Sequence, residues 1–277
     1  MFNYKIEYID RPGTKLALHS WIRQKMNAML FYIHGKQSHA GWLFETAPFI
    51  SKQSIALFVL DRRGSGLSGG DRRGDVESLE TMLLDYKIVL QTIKIKYPNL
   101  PLTLFGQSFG GSILAGLLCW GKFDIDYNAV VFCASGLGLQ NLHLLNETLE
   151  LETERVDLKI KDEAYTNDQR YLEFIKNDSL CIRSITNNTR QAFFELESLY
   201  CNACQKLDVP TCFIKPEYDP LVNYDIPLRI FGNITKNKGF IMQFPLRHHY
   251  IEFSEQRFLL WGWLLNYTIT AGYQIHA

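Results

Sequence analysis

What this chain lacks narrows it before any motif is read. It has no charge imbalance: 29 lysines and arginines meet 29 aspartates and glutamates, so no strong field recruits nucleic acid or an anionic membrane surface. It has no apolar run near the ~20 residues that span a bilayer. Its first ten residues, MFNYKIEYID, lack the basic-then-apolar order of a secretory signal. Internal repeats and low-complexity tracts are missing too. Cysteine is sparse, at 119, 133, 181, 201, 204 and 212, mostly inside apolar segments, which is the distribution of buried free thiols. Cys201 and Cys204 form one C-x-x-C, but zinc needs two further ligands at compatible spacing, and the sequence offers none nearby. These absences predict a soluble, cytoplasmic protein with no metal, no cofactor, no nucleic-acid partner and no membrane span.

What is present is a large apolar complement, 47% of 277 residues, enough for a sizeable core in one large α/β domain or two small ones. YKIEYID and KLALHSWI flank the turn RPGT and read as an antiparallel hairpin. AMLFYIHG, SIALFVLD, PLTLFGQ, AVVFCAS, PTCFIKPE and GFIMQF read as strands. Helical spacing alternates with them: 41–52, then 76–96, where Leu79, Leu83, Tyr86, Val89, Leu90 and Ile93 recur, then FGGSILAGLLCW, then 254–266. Strands alternating with helices predict an α/β fold, a mostly parallel sheet covered on both faces. One interval is far too long for a simple crossover. Residues 136–209 carry several helical patterns, no convincing strand and more acidic than basic side chains. They read as an inserted helical cap on a core formed by 1–135 and 210–277.

The chemistry starts at LFGQSFGGS, where Ser108 lies between Gly106 and Gly110. A tight βα turn with a capping serine would give the same bare pattern. Its setting, between a strand and a small-residue helix, is where a nucleophile elbow belongs: small neighbours two residues either side avoid collision with the strained turn. Serine needs a base. Asp219, after PTCFIKPE, and His249, after GFIMQF, follow in the order hydroxyl, acid, imidazole, each at a strand end. Glu217 is the alternative acid and His248 the alternative base; Asp219 lies nearer the expected turn, and His249 has the better offset from the final helix. The backbone amides of Phe109 and of Lys36, in the turn after FYIHG, are the expected oxyanion donors. His34, just before Gly35, reads as a residue that fixes that loop.

Together, HGKQSH, DRRGSGLSGGDRRG, GQSFGGS, EYDPLV and HHYIE resemble the lysophospholipase and monoacylglycerol-lipase-like branch of the α/β-hydrolase superfamily, which includes serine aminopeptidase-like members. The resemblance covers roughly 1–135 and 210–277, and YTNDQRYLEFIKNDSL is similar to that branch's lid. It implies an α/β-hydrolase fold, a triad of Ser108, Asp219 and His249, and an oxyanion hole at Lys36 and Phe109. The chain departs from the branch at Ser65 and Gln107, where histidine is common, and at Lys36, where a small residue is usual.

The expected activity is hydrolysis of a small-molecule carboxylic ester with an apolar acyl chain, through an acyl-enzyme. Leu144, Leu145, Leu149, Phe174, Phe193 and Phe194 are candidates for an acyl pocket or for packing the cap on the core. The acidic cap argues mildly against anionic headgroups. Three alternatives stay open: a thioesterase or acyltransferase served by an acyl-carrier protein, an aminopeptidase-like amide hydrolase, and a non-catalytic protein that binds a ligand or partner.

Overall fold

The computed structural model describes residues 2–139, 154–202 and 207–271. In chain order, β1 (Asn3–Arg11) and β2 (Thr14–Ile22) form the hairpin, followed by β3 (Ala28–Ile33), α1 (Thr46–Ser51), β4 (Ile55–Leu60) and α2 (Leu79–Lys96). Next come β5 (Leu102–Gln107), α3 (Phe109–Cys119) and β6 (Ala129–Cys133). Then follow β7 (Arg155–Asp157), α4 (Gln169–Asn177), β8 (Ser184–Thr186) and α5 (Asn187–Asn202). β9 (Thr211–Pro216), α6 (Asp225–Thr235), β10 (Phe240–Phe244) and α7 (Arg257–Ala271) complete the described elements.

Eight strands form one sheet in the order β1-β2-β4-β3-β5-β6-β9-β10. From β4 to β10 every neighbour is parallel, and β1 and β2 run antiparallel along one edge. β3, β4 and β6 read as nearly unbroken apolar runs because both faces are covered, whereas β10, at the sheet edge, leaves Phe240 and Ile241 exposed. In β3, Met29, Phe31 and Ile33 join a cluster with Leu83, Tyr86 and Leu90 of α2 and Ile113 of α3. Ala28, Leu30 and Tyr32 face the opposite cluster, with Ala47 and Ile50 of α1 and Trp261 and Leu264 of α7. All six positions of β3 are buried, and each large apolar side chain so buried contributes about 1.5–3 kcal/mol.

Successive strands leave β3 in opposite directions, β4 on one side and β5 on the other. Such a reversal opens a crevice at the carboxyl ends of the strands, where ligands of α/β sheets bind.

The element boundaries differ from the sequence reading in three places. α2 begins at Leu79 rather than 76, because Val76 turns into the core and the Ser78 hydroxyl caps the helix by accepting the Thr81 amide. Residues 41–52 split into a 3₁₀ turn, Ala40–Leu43, and the short α1. The last helix starts at Arg257, after a separate 3₁₀ turn at Ile251–Phe253.

The interval 136–209 holds the expected helices at α4 and α5, but also two strands that were not expected. β7 and β8, three residues each, pair antiparallel in a small second sheet. Segments this short carry no period; they exist because distant residues pair. The helical pattern at LHLLNETLELE, with Leu144, Leu145 and Leu149, lies outside the described residues, as does Cys204.

Candidate active site

The turn after β5 is held open by the absence of side chains. A Cβ on Gly106 would come within 2.6 Å of the Gly110 carbonyl oxygen, and one on Gly110 would sit on the Ile33 carbonyl. That clearance lets α3 start directly against β5, with Ser108 at φ 53°, ψ −121°, a conformation L-residues rarely adopt. Its amide donates to the Cys133 carbonyl of β6 at 2.8 Å and its carbonyl accepts the Gly111 amide at 2.9 Å, which fixes the turn from both sides. Gly111 is equally constrained, since a Cβ there would collide with the Ser135 hydroxyl.

Three loops at strand ends converge on this serine. His249 Nε2 is 2.7 Å from Ser108 Oγ, and His249 Nδ1 is 2.7 Å from Asp219 Oδ2. Burial pushes the Asp219 carboxyl up, but the neighbouring His249 ring, the Tyr224 hydroxyl and the Leu221 amide outweigh it and hold the carboxyl below its usual range. An ionised Asp219 can only accept, so Nδ1–H donates to it and Nε2 is left to accept the Ser108 hydroxyl proton. The carboxylate is saturated: Oδ1 accepts the Leu221 and Val222 amides at 2.8 and 3.2 Å, and Oδ2 also accepts the Tyr224 hydroxyl at 2.6 Å. The His249 amide donates to Ala164 at 2.9 Å, while Tyr165 packs edge-on against the imidazole.

The alternatives are elsewhere. Glu217 is exposed and His248 half-buried, and neither takes part in this chain of hydrogen bonds. Lys36 and Phe109 both line the cleft beside Ser108 and His249.

The loop that carries Lys36 is fixed from behind. His34 is buried, and its Nε2 accepts the Arg62 amide at 3.1 Å, so its Nδ1–H donates to the Gly35 carbonyl at 2.9 Å. Burial, with the Arg62 charge beside it, drives His34 down to about 3 and keeps it neutral. Arg62 Nη1 donates to the same Gly35 carbonyl and Nη2 to that of Lys36, at 3.3 and 3.0 Å. In a trans peptide the N–H points away from the C=O. Holding the Gly35 carbonyl toward His34 and Arg62 therefore turns the Lys36 amide the other way.

The cleft has a volume of about 330 Å³, at the small end of the ~300–1,000 Å³ typical of ligand sites. Leu139, Val156, Ile160, Ile185, Leu221 and Val222 give it apolar walls. Of the described acyl-pocket candidates, Phe193 reaches the cleft. Phe174 packs with Trp42, Phe44 and Phe253 in a cluster joining α4 to the core, and Phe194 is not among the cleft-lining residues.

The sequence reading missed Tyr224, the second side chain on Asp219, and the Arg62 grip on the Gly35–Lys36 loop. It also missed Gly35 itself, where a Cβ would lie 2.6 Å from the Gln107 side chain and 3.4 Å from Ser108 Cβ. The Gly next to a loop histidine was the one local hint.

Sheet order, helices on both faces and the strained turn after β5 define the class: this is the α/β-hydrolase fold. It superposes on a soluble variant of monoglyceride lipase from Saccharomyces cerevisiae, crystallised with a substrate analog, with a TM-score of 0.83 over 97% of this chain and 96% of that one, at 17% identity. The chain belongs to the family described as serine aminopeptidase, S33, whose model matches residues 24–253. It is 31% identical to monoglyceride lipase of Rattus norvegicus over 86 residues, 31% of this chain and 28% of that protein. It is 34% identical to the monoglyceride lipase homolog of Monkeypox virus over 113 residues, 41% of this chain and 38% of that one. These matches span less than two thirds of the length of either relative.

Proposed function

We propose that the protein is a serine hydrolase that cleaves a small-molecule carboxylic ester with an apolar acyl chain. The observation that carries this reading is the pair of 2.7 Å hydrogen bonds linking Ser108, His249 and Asp219 at a strained turn beside an apolar cleft. Ester hydrolysis also agrees with the monoglyceride lipases among the relatives. Residues 136–209 act as the cap in this reading.

Ser108 Oγ attacks the ester carbonyl while its proton passes to His249 Nε2, and ionised Asp219 stabilises the imidazolium. The carbonyl oxygen, now an anion, faces the amides of Phe109 and Lys36, the latter turned inward by His34 and Arg62. His249 returns the proton to the departing alkoxide, leaving an acyl-Ser108. Water then attacks, gives its proton to His249, and Ser108 is regenerated as the acid leaves. The charged groups lining the cleft favour an ester over an aminopeptidase substrate. Lys36, Lys159 and Arg190 against Asp157 make a poor seat for a free ammonium group.

The test is covalent labelling by a fluorophosphonate together with turnover of p-nitrophenyl esters of rising chain length, acyl thioesters and aminoacyl anilides. Labelling that disappears in Ser108→Ala, with esters turned over best, is the expected result. No labelling of the folded protein would remove the enzyme reading, and preference for thioesters or anilides would replace the ester.

A further inference from the structure

The inside of the cleft has a different electrostatic character from the segment around it. Acidic residues outnumber basic ones across 136–209, which on its own argues against anionic ligands. Among the described lysine, arginine, aspartate and glutamate side chains lining the cleft, however, Lys36, Lys159 and Arg190 are cationic and Asp157 alone is acidic. Asp157 and Lys159 are exposed. Arg190 lies inside.

Arg190, in the first turn of α5, is 5% exposed. Its Nε has no hydrogen-bond partner, and Nη1 meets the Asn187 side chain at a long 3.4 Å. Among the described residues no carboxylate forms an ion pair with it. A buried guanidinium in that state carries a desolvation cost that pairing with an anion would offset. One turn further along α5, Phe193 packs against Phe109 with the rings tilted and their centroids 3.9 Å apart. The Lys36 ammonium lies 5.3 Å from the Phe193 ring and 5.6 Å from that of Phe109. Burial and the adjacent Arg62 charge, opposed by the Glu197 carboxylate, pull Lys36 down to about 8, so it remains largely protonated at neutral pH. Arg190 and Lys36 line the same cleft as Phe193, so an anion entering it has a forked donor and a point charge available.

We propose that Arg190, assisted by Lys36, binds a compact anion carried by the ester substrate, a carboxylate or a phosphate monoester. The guanidinium fork matches two oxygens of either group. The apolar walls at Leu139, Val156 and Ile185 take the rest of the molecule, so the substrate class is an amphiphilic ester with one anionic end. This assignment rests on the ester-hydrolase reading of the same cleft, and binding energy gained at the remote anion serves to orient the carbonyl on Ser108.

The test compares matched substrates. p-Nitrophenyl hydrogen glutarate against p-nitrophenyl pentanoate places the anion on the acyl side, and 1-butyrylglycerol 3-phosphate against 1-butyrylglycerol places it on the alcohol side. The readout is the ratio of kcat/KM within each pair, which cancels any difference in folded fraction. The intact protein is expected to favour the anionic member of at least one pair, and Arg190→Gln to lower that ratio roughly tenfold or more, the scale of a hydrogen bond to a charged group. Arg190→Lys is expected to restore part of it. A ratio at or below one in both pairs, or one unchanged in Arg190→Gln, overturns the proposal while leaving ester hydrolysis intact. If Arg190→Gln does not fold, Lys36→Met must lower the ratio instead, and an unchanged ratio there overturns it. If the intact protein hydrolyses no ester, the proposed function fails. The anion site is then judged by thermal stabilisation with glutarate or inorganic phosphate, which must be present in the intact protein and absent in Arg190→Gln.

Discussion

The two walls of the cleft are built by different rules. On the sheet side, backbone does the placing: Gly106, Gly110 and Gly111 let α3 close against β5, and Ser108 is bonded to Cys133 and Gly111 through its main chain. On the opposite side, residues 154–202 approach mainly with side chains, namely Tyr165, Ile185, Arg190 and Phe193. Among the described residues, the main-chain bonds that tie the two walls together include the Ile182 amide to Gln37, the His249 amide to Ala164 and the Tyr250 amide to Tyr165. A wall of backbone tolerates almost no change in shape, whereas a wall of side chains can be altered one residue at a time. In the proposed function, reaction type belongs to the first and substrate choice to the second.

Breaking the sheet side should be the more costly. Ser108→Ala is expected to lower ester turnover by roughly 10⁴-fold or more with the far-ultraviolet dichroism unchanged, since the proposed reaction takes its nucleophile from Ser108. Gly110→Ala forces a Cβ onto the Ile33 carbonyl and should cost about 3 kcal/mol or more in a urea titration. Arg62→Met releases the Gly35–Lys36 peptide. It should lower kcat by roughly tenfold to a hundredfold with KM little changed, because a misaimed oxyanion donor matters mainly in the transition state.

A pH experiment sharpens the contrast. Asp61 accepts the Ala40 and Leu67 amides and sits 3.0 Å from His19 Nε2. Burial alone would raise its carboxyl; the His19 contacts and the amides bring it down to about 2, against an ordinary 3.8. The unfolded chain therefore takes up this proton first as the pH falls. The resulting stability is complete above about 4 and is lost between about 4 and 2. Asp61→Asn should lower stability at neutral pH and flatten the slope in that window, read by thermal unfolding at a series of pH values. On the side-chain wall the effects should be smallest. Tyr165→Phe removes one 2.6 Å hydrogen bond to Gln37 and should cost only about 1–2 kcal/mol.

The same contrast explains what could be read from sequence. The parallel strands were legible because burial on both faces writes long apolar runs, as in ALFVL and AVVFC. Ser108, Asp219 and His249 could be singled out because each follows a largely apolar segment at a strand end. Tyr224, Arg62 and the buried Arg190 could not, since their significance lies in what they touch across the fold. β7 and β8 were missed for a related reason: RVD and SIT acquire strand geometry only from each other. Helix ends moved where a tertiary contact, as at Val76, outweighed local periodicity.

The small β7–β8 sheet is not held by residues 154–202 alone. Thr189 donates through its hydroxyl to the Gly74 carbonyl and accepts the Val76 amide, the Thr186 amide reaches Gly74, and Arg155 holds the Arg73 carbonyl. The arginine- and glycine-rich loop before α2 is thus the socket into which this segment plugs. A chimera that transplanted 154–202 from a relative would leave that socket mismatched. The exchangeable module for re-engineering this protein is discontinuous, and residues 72–76 have to travel with it.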